Sequence, residues 1–416
     1  MLVEPRMNSI ISLAFVGIKL NRLLISRSLL TIVINTIVII TIAAAYGEDD
    51  PTQVAFERAW SHARLWESAD QDSFFALSGR LQFDSYWFNA DRDDVPAGAA
   101  DDDNDTIWRR FRFGFKSEFG GGYTVQLEGD FDLNNELDDV YNRLTDAYIG
   151  YAPGKAWNIR LLKQSVGYTL DGATSSKKLL TMQRNNLTNN LWATDEYFSG
   201  LQLAGSVSER WTYKAGVFSG DDSEEIGLSN VGYLTLLSLG HSFKGHLDMD
   251  TALVRVDYVY NSKDDDDQAD LDDDYDNNAT PDFRHTATLA TQWQKGGWGL
   301  STDLSAGHGL DRQSNLWGFA LMPFYAFSEH QQAVLRYTHL NSSNNNGLRL
   351  GRYEREIVRG RGDRYNELYL GYNIFIFGHK LKWQTGLQYT KMDDDANDGG
   401  EYQGWGLTTG LRMYWY

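Results

Sequence analysis

Basic side chains recur at alternate positions in several stretches of this sequence, and that spacing supports one kind of chemistry. In WRRFRFGFKSEF, Arg110, Arg112 and Lys116 alternate with Phe111, Phe113, Phe115 and Phe119. Successive residues of an extended chain point to opposite faces, so the cations form one row and the rings another. The polar faces of other strand-like stretches add Arg80, Arg160, Lys214, Arg255, Arg284, Arg336, Lys382 and Arg412. Asp84, Glu128, Asp130, Asp146, Asp257, Asp303 and Glu367 share those faces. A wall of guanidinium and ammonium groups can replace part of an anion's hydration and release it again. The carboxylates can equally neutralise the cations, Arg80 with Asp84 for instance, and both readings stay open.

Two further basic groups break the alternation. DGATSSKKLLTMQRNN carries Lys177, Lys178 and Arg184 with no carboxylate after Asp171. The stretch 341–363 holds Arg349, Arg352, Arg355, Arg359 and Arg361, with Glu354 and Glu356 as available partners. It is read as a basic vestibule or as a hydrated loop.

Catalytic patterns are missing. There is no HExxH, GxSxG or GxxxxGK[ST], and the eight histidines are scattered, with His246, His330 and His379 in turns. Cysteine is absent, which excludes disulfides and thiolate metal sites. No enzyme activity, cofactor or specific metal site is expected. Acid runs at 101–105, 134–139, 221–225, 264–276 and 393–398 suit a solvated surface, or divalent cations bridging to lipopolysaccharide. A formal charge of −19 argues against nucleic acid as a partner, because phosphates would be repelled.

The elements that must position these residues follow from the period of the pattern. Arg22 and Arg27 precede the apolar run Leu29 to Ile42, which ends in three alanines. Residues 1–45 therefore read as a signal peptide, with translation starting at Met1 or Met7. Residues 46–74 read as a periplasmic lead-in, in which 51–68 could form a short helix. From residue 75 the period is two, and sixteen strands can be counted to Tyr416. The links between them alternate strictly. GGG, APGK, SER, KGHLD, KGG, SEH and GH are short, whereas those near 89–106, 133–142, 166–196, 220–233, 262–282, 307–314, 341–363 and 391–401 are long. A sandwich has no reason to keep its short turns on one parity. A transmembrane antiparallel β-barrel of about sixteen strands does, with short periplasmic turns and long external loops. Residues 75–416 are thus expected to form an all-β barrel in a bacterial outer membrane.

Within that frame the chain resembles the phosphate-selective porin O and P family. The resemblance rests on RRFRFGFKSEFGGGYTVQLEGDFD, DAYIGY, TSSKKLLTMQR and WTYKAGVFSGD, and runs more loosely to Tyr416. It implies a homotrimeric, sixteen-stranded porin with an arginine-lined path for phosphate or polyphosphate. The family's phenylalanine–lysine–x–proline–phenylalanine stretch is replaced by Gln164, Ser165, Val166, Gly167 and Tyr168, so Ser165 stands at the lysine position. The expectation is passive diffusion of small hydrophilic solutes, with anions favoured. A general or weakly cation-selective channel and a structural protein bound to lipopolysaccharide are the alternatives. The basic segment falls in the third external loop, which makes Lys177, Lys178 and Arg184 the expected constriction and the eleven strand residues above the expected lining.

Overall fold

The computed structural model describes residues 51–90, 102–136, 139–191, 197–220, 224–228, 232–262, 283–310 and 313–416. The signal-peptide segment lies outside them, as does the acid run at 264–276. Helix α1 (Pro51–Ser61) and the short strand β1 (Arg64–Glu67) precede the barrel. Its sixteen strands are β2 (Phe74–Asn89), β3 (Asp102–Phe119), β4 (Tyr123–Phe131), β5 (Tyr141–Tyr151), β6 (Asn158–Ser165), β7 (Tyr197–Ser206), β8 (Trp211–Ser219) and β9 (Tyr233–Ser242). They continue as β10 (Thr251–Asn261), β11 (Phe283–Lys295), β12 (Trp298–Gly309), β13 (Leu316–Ala326), β14 (Gln331–Ser342), β15 (Arg364–Phe377), β16 (Leu381–Asp393) and β17 (Tyr402–Trp415). Each pairs antiparallel with its sequence neighbours, and β17 closes on β2, from Gly406 opposite Phe88 to Trp415 opposite Gly79.

Closure removes every edge, so the strands satisfy their own backbone groups and can be surrounded by hydrocarbon. The side chains are distributed accordingly. Leu127, Leu237, Leu304, Leu321 and Leu370 are exposed on the outside, while Asp84, Glu128, Arg336 and Lys382 are buried within. This inversion of a soluble core is what a lipid-facing barrel requires. Aromatic rings collect at both ends of the strands. Tyr123 lies 4.7 Å from Tyr151 and Trp298 4.4 Å from Tyr325 near the short turns. Tyr389 and Trp405 lie 5.1 Å apart near the long loops. Such girdles sit at the two interfaces of the bilayer.

The first short turn shows why its sequence is glycine. Gly121 and Gly122 have φ of 86° and 91°, and a Cβ on Gly122 would meet the Ala152 carbonyl at 2.2 Å. At the same end, α1 is held by its aromatic face: Phe56 stacks 5.8 Å from Phe377, and the Trp60 indole donates to the Tyr414 carbonyl at 2.6 Å.

One irregularity matters for the lumen. Between β2 and β3 the register shifts, so that Gln82 faces Arg110 and Phe83 faces Trp108, leaving Arg109 unpaired. A bulge of this kind re-aims the extra residue. Arg109 and Arg110 consequently line the same cavity on the inside of the barrel.

Candidate permeation pathway

The third external loop enters the barrel. Its residues Val166, Tyr168, Leu187 and Leu191 are fully buried, and it carries two short helices, α2 (Leu170–Ala173) and α3 (Asn186–Leu191). Helix α3 packs against β12, β13 and β14. Thr169 starts α2 at a φ of 57°, an unusual angle for a β-branched residue. Its hydroxyl accepts from Gly172 N–H at 2.9 Å and its carbonyl accepts from Arg255 at 2.5 Å. Asp171 fixes the return of the loop by accepting from Asn185 N–H at 2.7 Å.

A loop packed in a lumen leaves carbonyls that need donors, and the barrel wall supplies them. Arg336 donates to the Gln183 carbonyl at 2.9 Å and Asn373 to that of Leu180 at 2.9 Å. Lys382 and Gln384 both donate to the Leu179 carbonyl. Arg80 reaches the Ser176 hydroxyl at 2.7 Å, and Lys214 the Val166 carbonyl at 2.9 Å. The same cations are balanced by carboxylates: Arg80 with Glu128 at 2.9 Å, Arg112 with Asp130 at 3.0 Å, Arg336 with Glu367 at 2.8 Å, Arg255 with Asp257 at 2.5 Å, and Arg412 with Asp84. The expected partnership of Arg80 with Asp84 is therefore replaced. Arg80 faces Arg112 across the β2–β3 pair, and Glu128 on β4 bonds Arg80 while Asp84 is claimed from the β17 side.

What the loop leaves open lies toward β2–β8. An inner chamber of about 440 Å³ is lined by Arg80, Arg110, Arg112, Arg160, Arg184 and Lys214, with Asp146 the one carboxylate among its lining residues. Outside it lies a vestibule of about 430 Å³ bounded by the bulge residue Arg109, by Arg143, and by Arg349, Arg352 and Arg355 of the seventh external loop. Arg110, Arg112, Arg184 and Tyr197 line both spaces. These four residues stand where mouth and chamber meet, the candidate narrow point of the pathway. Arg112 is fixed there by Asp130 and by Tyr197, whose hydroxyl lies 2.6 Å from it and whose ring centre lies 5.0 Å away. Arg110 donates to Gln82 at 2.9 Å, and Arg184 to the Thr174 carbonyl at 2.9 Å. Among the described residues, Arg109, Arg110 and Arg160 form no ion pair. Arg160 lies instead over the Tyr148 ring at 4.7 Å.

The sequence-derived sites thus divide. Arg80, Arg110, Arg112, Arg160 and Lys214 meet around the chamber, and Arg184 joins them from the loop. Arg255, Arg336, Lys382 and Arg412 face inward but serve as the seat of the loop. Lys116 lies near the periplasmic rim with Glu118 at 2.7 Å, and Arg284, near the outer end of β11, donates to the Asn261 carbonyl at 3.2 Å. Lys177 and Lys178 do not join Arg184 at the narrow point. Lys177 turns to the Tyr416 main-chain oxygen and the Tyr414 ring, and Lys178 is exposed. Arg109 was not among the expected residues: strict alternation along β3 would put it on the face of Phe111 and Phe113, because a bulge has no signature in a period-two pattern. Tyr197, first residue of β7, carried no charge to draw notice.

The acid run that the structure describes most fully does not offer an open cation site. Asp394 accepts N–H bonds from Ala396 to Gly400, and Asp363 accepts from Asn346 and Asp395. Partial burial would raise the Asp394 carboxyl, but these donors hold it below the ordinary carboxylate range.

A closed sixteen-stranded barrel with an apolar exterior, two aromatic girdles and a charged lumen narrowed by an inward loop defines an outer-membrane channel of the porin class. Within that class, the model of the phosphate-selective porin O and P family matches residues 75–233 of this chain. Solved structures share the fold at low identity. An anion-selective porin from Comamonas acidovorans superposes with a TM-score of 0.57 at 14% identity, over 82% of this chain and 100% of that one. The outer membrane channel DcaP of Acinetobacter baumannii gives 0.52 at 11%, over 84% and 99%. Salmonella typhi OmpF, in complex with daunomycin, gives 0.57 at 12%, over 84% and 100%. No curated protein matches the sequence significantly.

Proposed function

We propose that this protein is a diffusion channel for small anions, with oxyanions of the phosphate type as its permeant class. The observation that carries the reading is the composition of the narrow point. Arg110, Arg112 and Arg184 converge there, Arg112 paired with Asp130, Arg110 bonded to the neutral Gln82 and Arg184 to the Thr174 carbonyl. An anion entering from the vestibule meets cations at each stage and is held by none so completely that it cannot leave. The family match and the anion-selective Comamonas porin of the same fold support the reading. Assembly as a homotrimer belongs to the same proposal, supported by the trimer form solved for OmpT of Vibrio cholerae, which shares the fold at 12% identity.

Reversal potentials of single channels in a potassium chloride gradient, with and without added phosphate, test it. Anion preference is expected, with chloride current reduced as phosphate occupies the narrow point. Cation preference would establish the alternative of a cation-selective channel, and absence of conductance would establish a plugged structural barrel.

A further inference from the structure

The seventh external loop is not only the rim of the vestibule. It also reaches down to the loop that carries Arg184. Arg349 exchanges backbone bonds with α3: its N–H donates to Asn190 at 2.8 Å and its carbonyl accepts from Asn186 at 2.8 Å. Deeper, Tyr353 is buried and stacks on Tyr86 with ring centres 4.1 Å apart. Its hydroxyl donates to Asp84 at 2.6 Å and accepts from Gln183 at 3.2 Å, and Gln183 also donates to Asp84 at 3.2 Å. Gln183 immediately precedes Arg184. Asp84 is at the same time the ion-pair partner of Arg412.

We infer that Tyr353 is a positioning residue that sets the width of the channel, by clamping the third external loop to the barrel wall through Gln183 and Asp84. The mouth loop and the constriction loop then move as one body. Without the Tyr353 hydroxyl, the Gln183 side chain keeps only its 3.2 Å bond to Asp84, and the loop at Gln183 is held through its carbonyl by Arg336 alone from the wall, so the constriction loop samples positions nearer the opposite wall or the axis. This inference rests on the narrow point described above and not on the sign of the ions it prefers.

The test uses the full-length protein in planar bilayers and in liposomes challenged with neutral sugars of increasing size. Tyr353→Phe keeps the ring stack and removes the hydroxyl. It is expected to raise the population of the released loop about tenfold, seen as noisier current, higher mean conductance and faster swelling with larger sugars. Gln183→Leu attacks the same clamp from the other loop and should reproduce this, with the double variant no worse than either single one. Arg359→Gln, on the exposed part of the mouth loop, should leave conductance and sugar cut-off unchanged. Wild-type conductance, noise and sugar cut-off in both Tyr353→Phe and Gln183→Leu would overturn the inference. A wild type that lacks anion preference would overturn the proposed function but leave this result readable, because neutral sugars report width alone.

Discussion

The two walls of this lumen use the same residue types for opposite ends. On the wall under the third external loop, Arg255, Arg336, Lys382 and Arg412 are spent on carboxylates and loop carbonyls. Arg336, Lys382 and Arg412 are at most 3% exposed. On the other, Arg109, Arg110 and Arg160 line the open chamber and vestibule without ion pairs among the described residues. The difference lies in what stands opposite each cation. A loop backbone presents many acceptors and a strand wall few, so the covered wall satisfies its cations internally, while on the open wall Arg80 and Arg112 are paired and Arg109, Arg110 and Arg160 are not, among the described residues. Charge inside a barrel is therefore not by itself a measure of selectivity. Buried pairs hold shape, whereas under the proposed function the cations outside such pairs are the ones that would meet the permeant.

The comparison is broken most forcefully on the covered side. Arg336→Met would leave Glu367 buried without its cation and deprive Thr181 and Gln183 of a donor. Removing one member of a buried pair typically costs about 3–5 kcal/mol. A loss of that order in urea unfolding from detergent or bilayer is expected, together with a widened, irregular conductance. On the open side, Arg110→Gln should behave in reverse. It removes a cation crowded by Arg109 and Arg112, so stability should stay within about 1 kcal/mol of wild type. The reversal potential, however, should move toward the cation side, and Arg184→Gln should add to the shift. Equal stability losses in Arg336→Met and Arg110→Gln would erase the distinction between the walls.

Much of this architecture was legible because one physical rule governs it. Period-two alternation marked all sixteen strands, and the parity of short and long links gave closure and orientation. The inward position of the third loop was implied by the resemblance to sixteen-stranded porins, and its basic, non-alternating composition agreed with it. Three features were not legible. The bulge that turns Arg109 inward is an offset in pairing with β2, and pairing offsets leave no trace in a single strand's pattern. The partner of Arg80 depends on which neighbour each strand faces, so proximity in sequence favoured Asp84 over Glu128. The separation of Lys177 from Arg184 depends on the path of the loop inside the lumen. Asp171, Thr169 and the wall donors set that path, and their roles appear only once the barrel exists.

The smallest expected effect concerns Glu354, which belongs to neither wall's logic. It borders the vestibule yet is almost fully buried, and accepts from Gln388 at 2.6 Å and Thr390 at 3.2 Å. Burial, reinforced by the nearby Glu367 carboxylate, pushes its pKa up to about 7. The folded protein therefore holds a proton here that the unfolded chain has released. Its contribution to stability is fully present below the ordinary glutamate range and is lost as pH rises toward about 7. Over the same interval the vestibule gains one negative charge. Anion preference should decline modestly between pH 6 and pH 8, by less than about twofold in permeability ratio, and thermal stability should fall from pH 4.5 toward neutrality. Glu354→Gln should flatten both profiles while keeping the acceptor for Gln388. If the variant retained the wild-type slope in reversal potential, the titrating group would lie elsewhere, and the vestibule would have to be treated as electrostatically separate from the loop that encloses it.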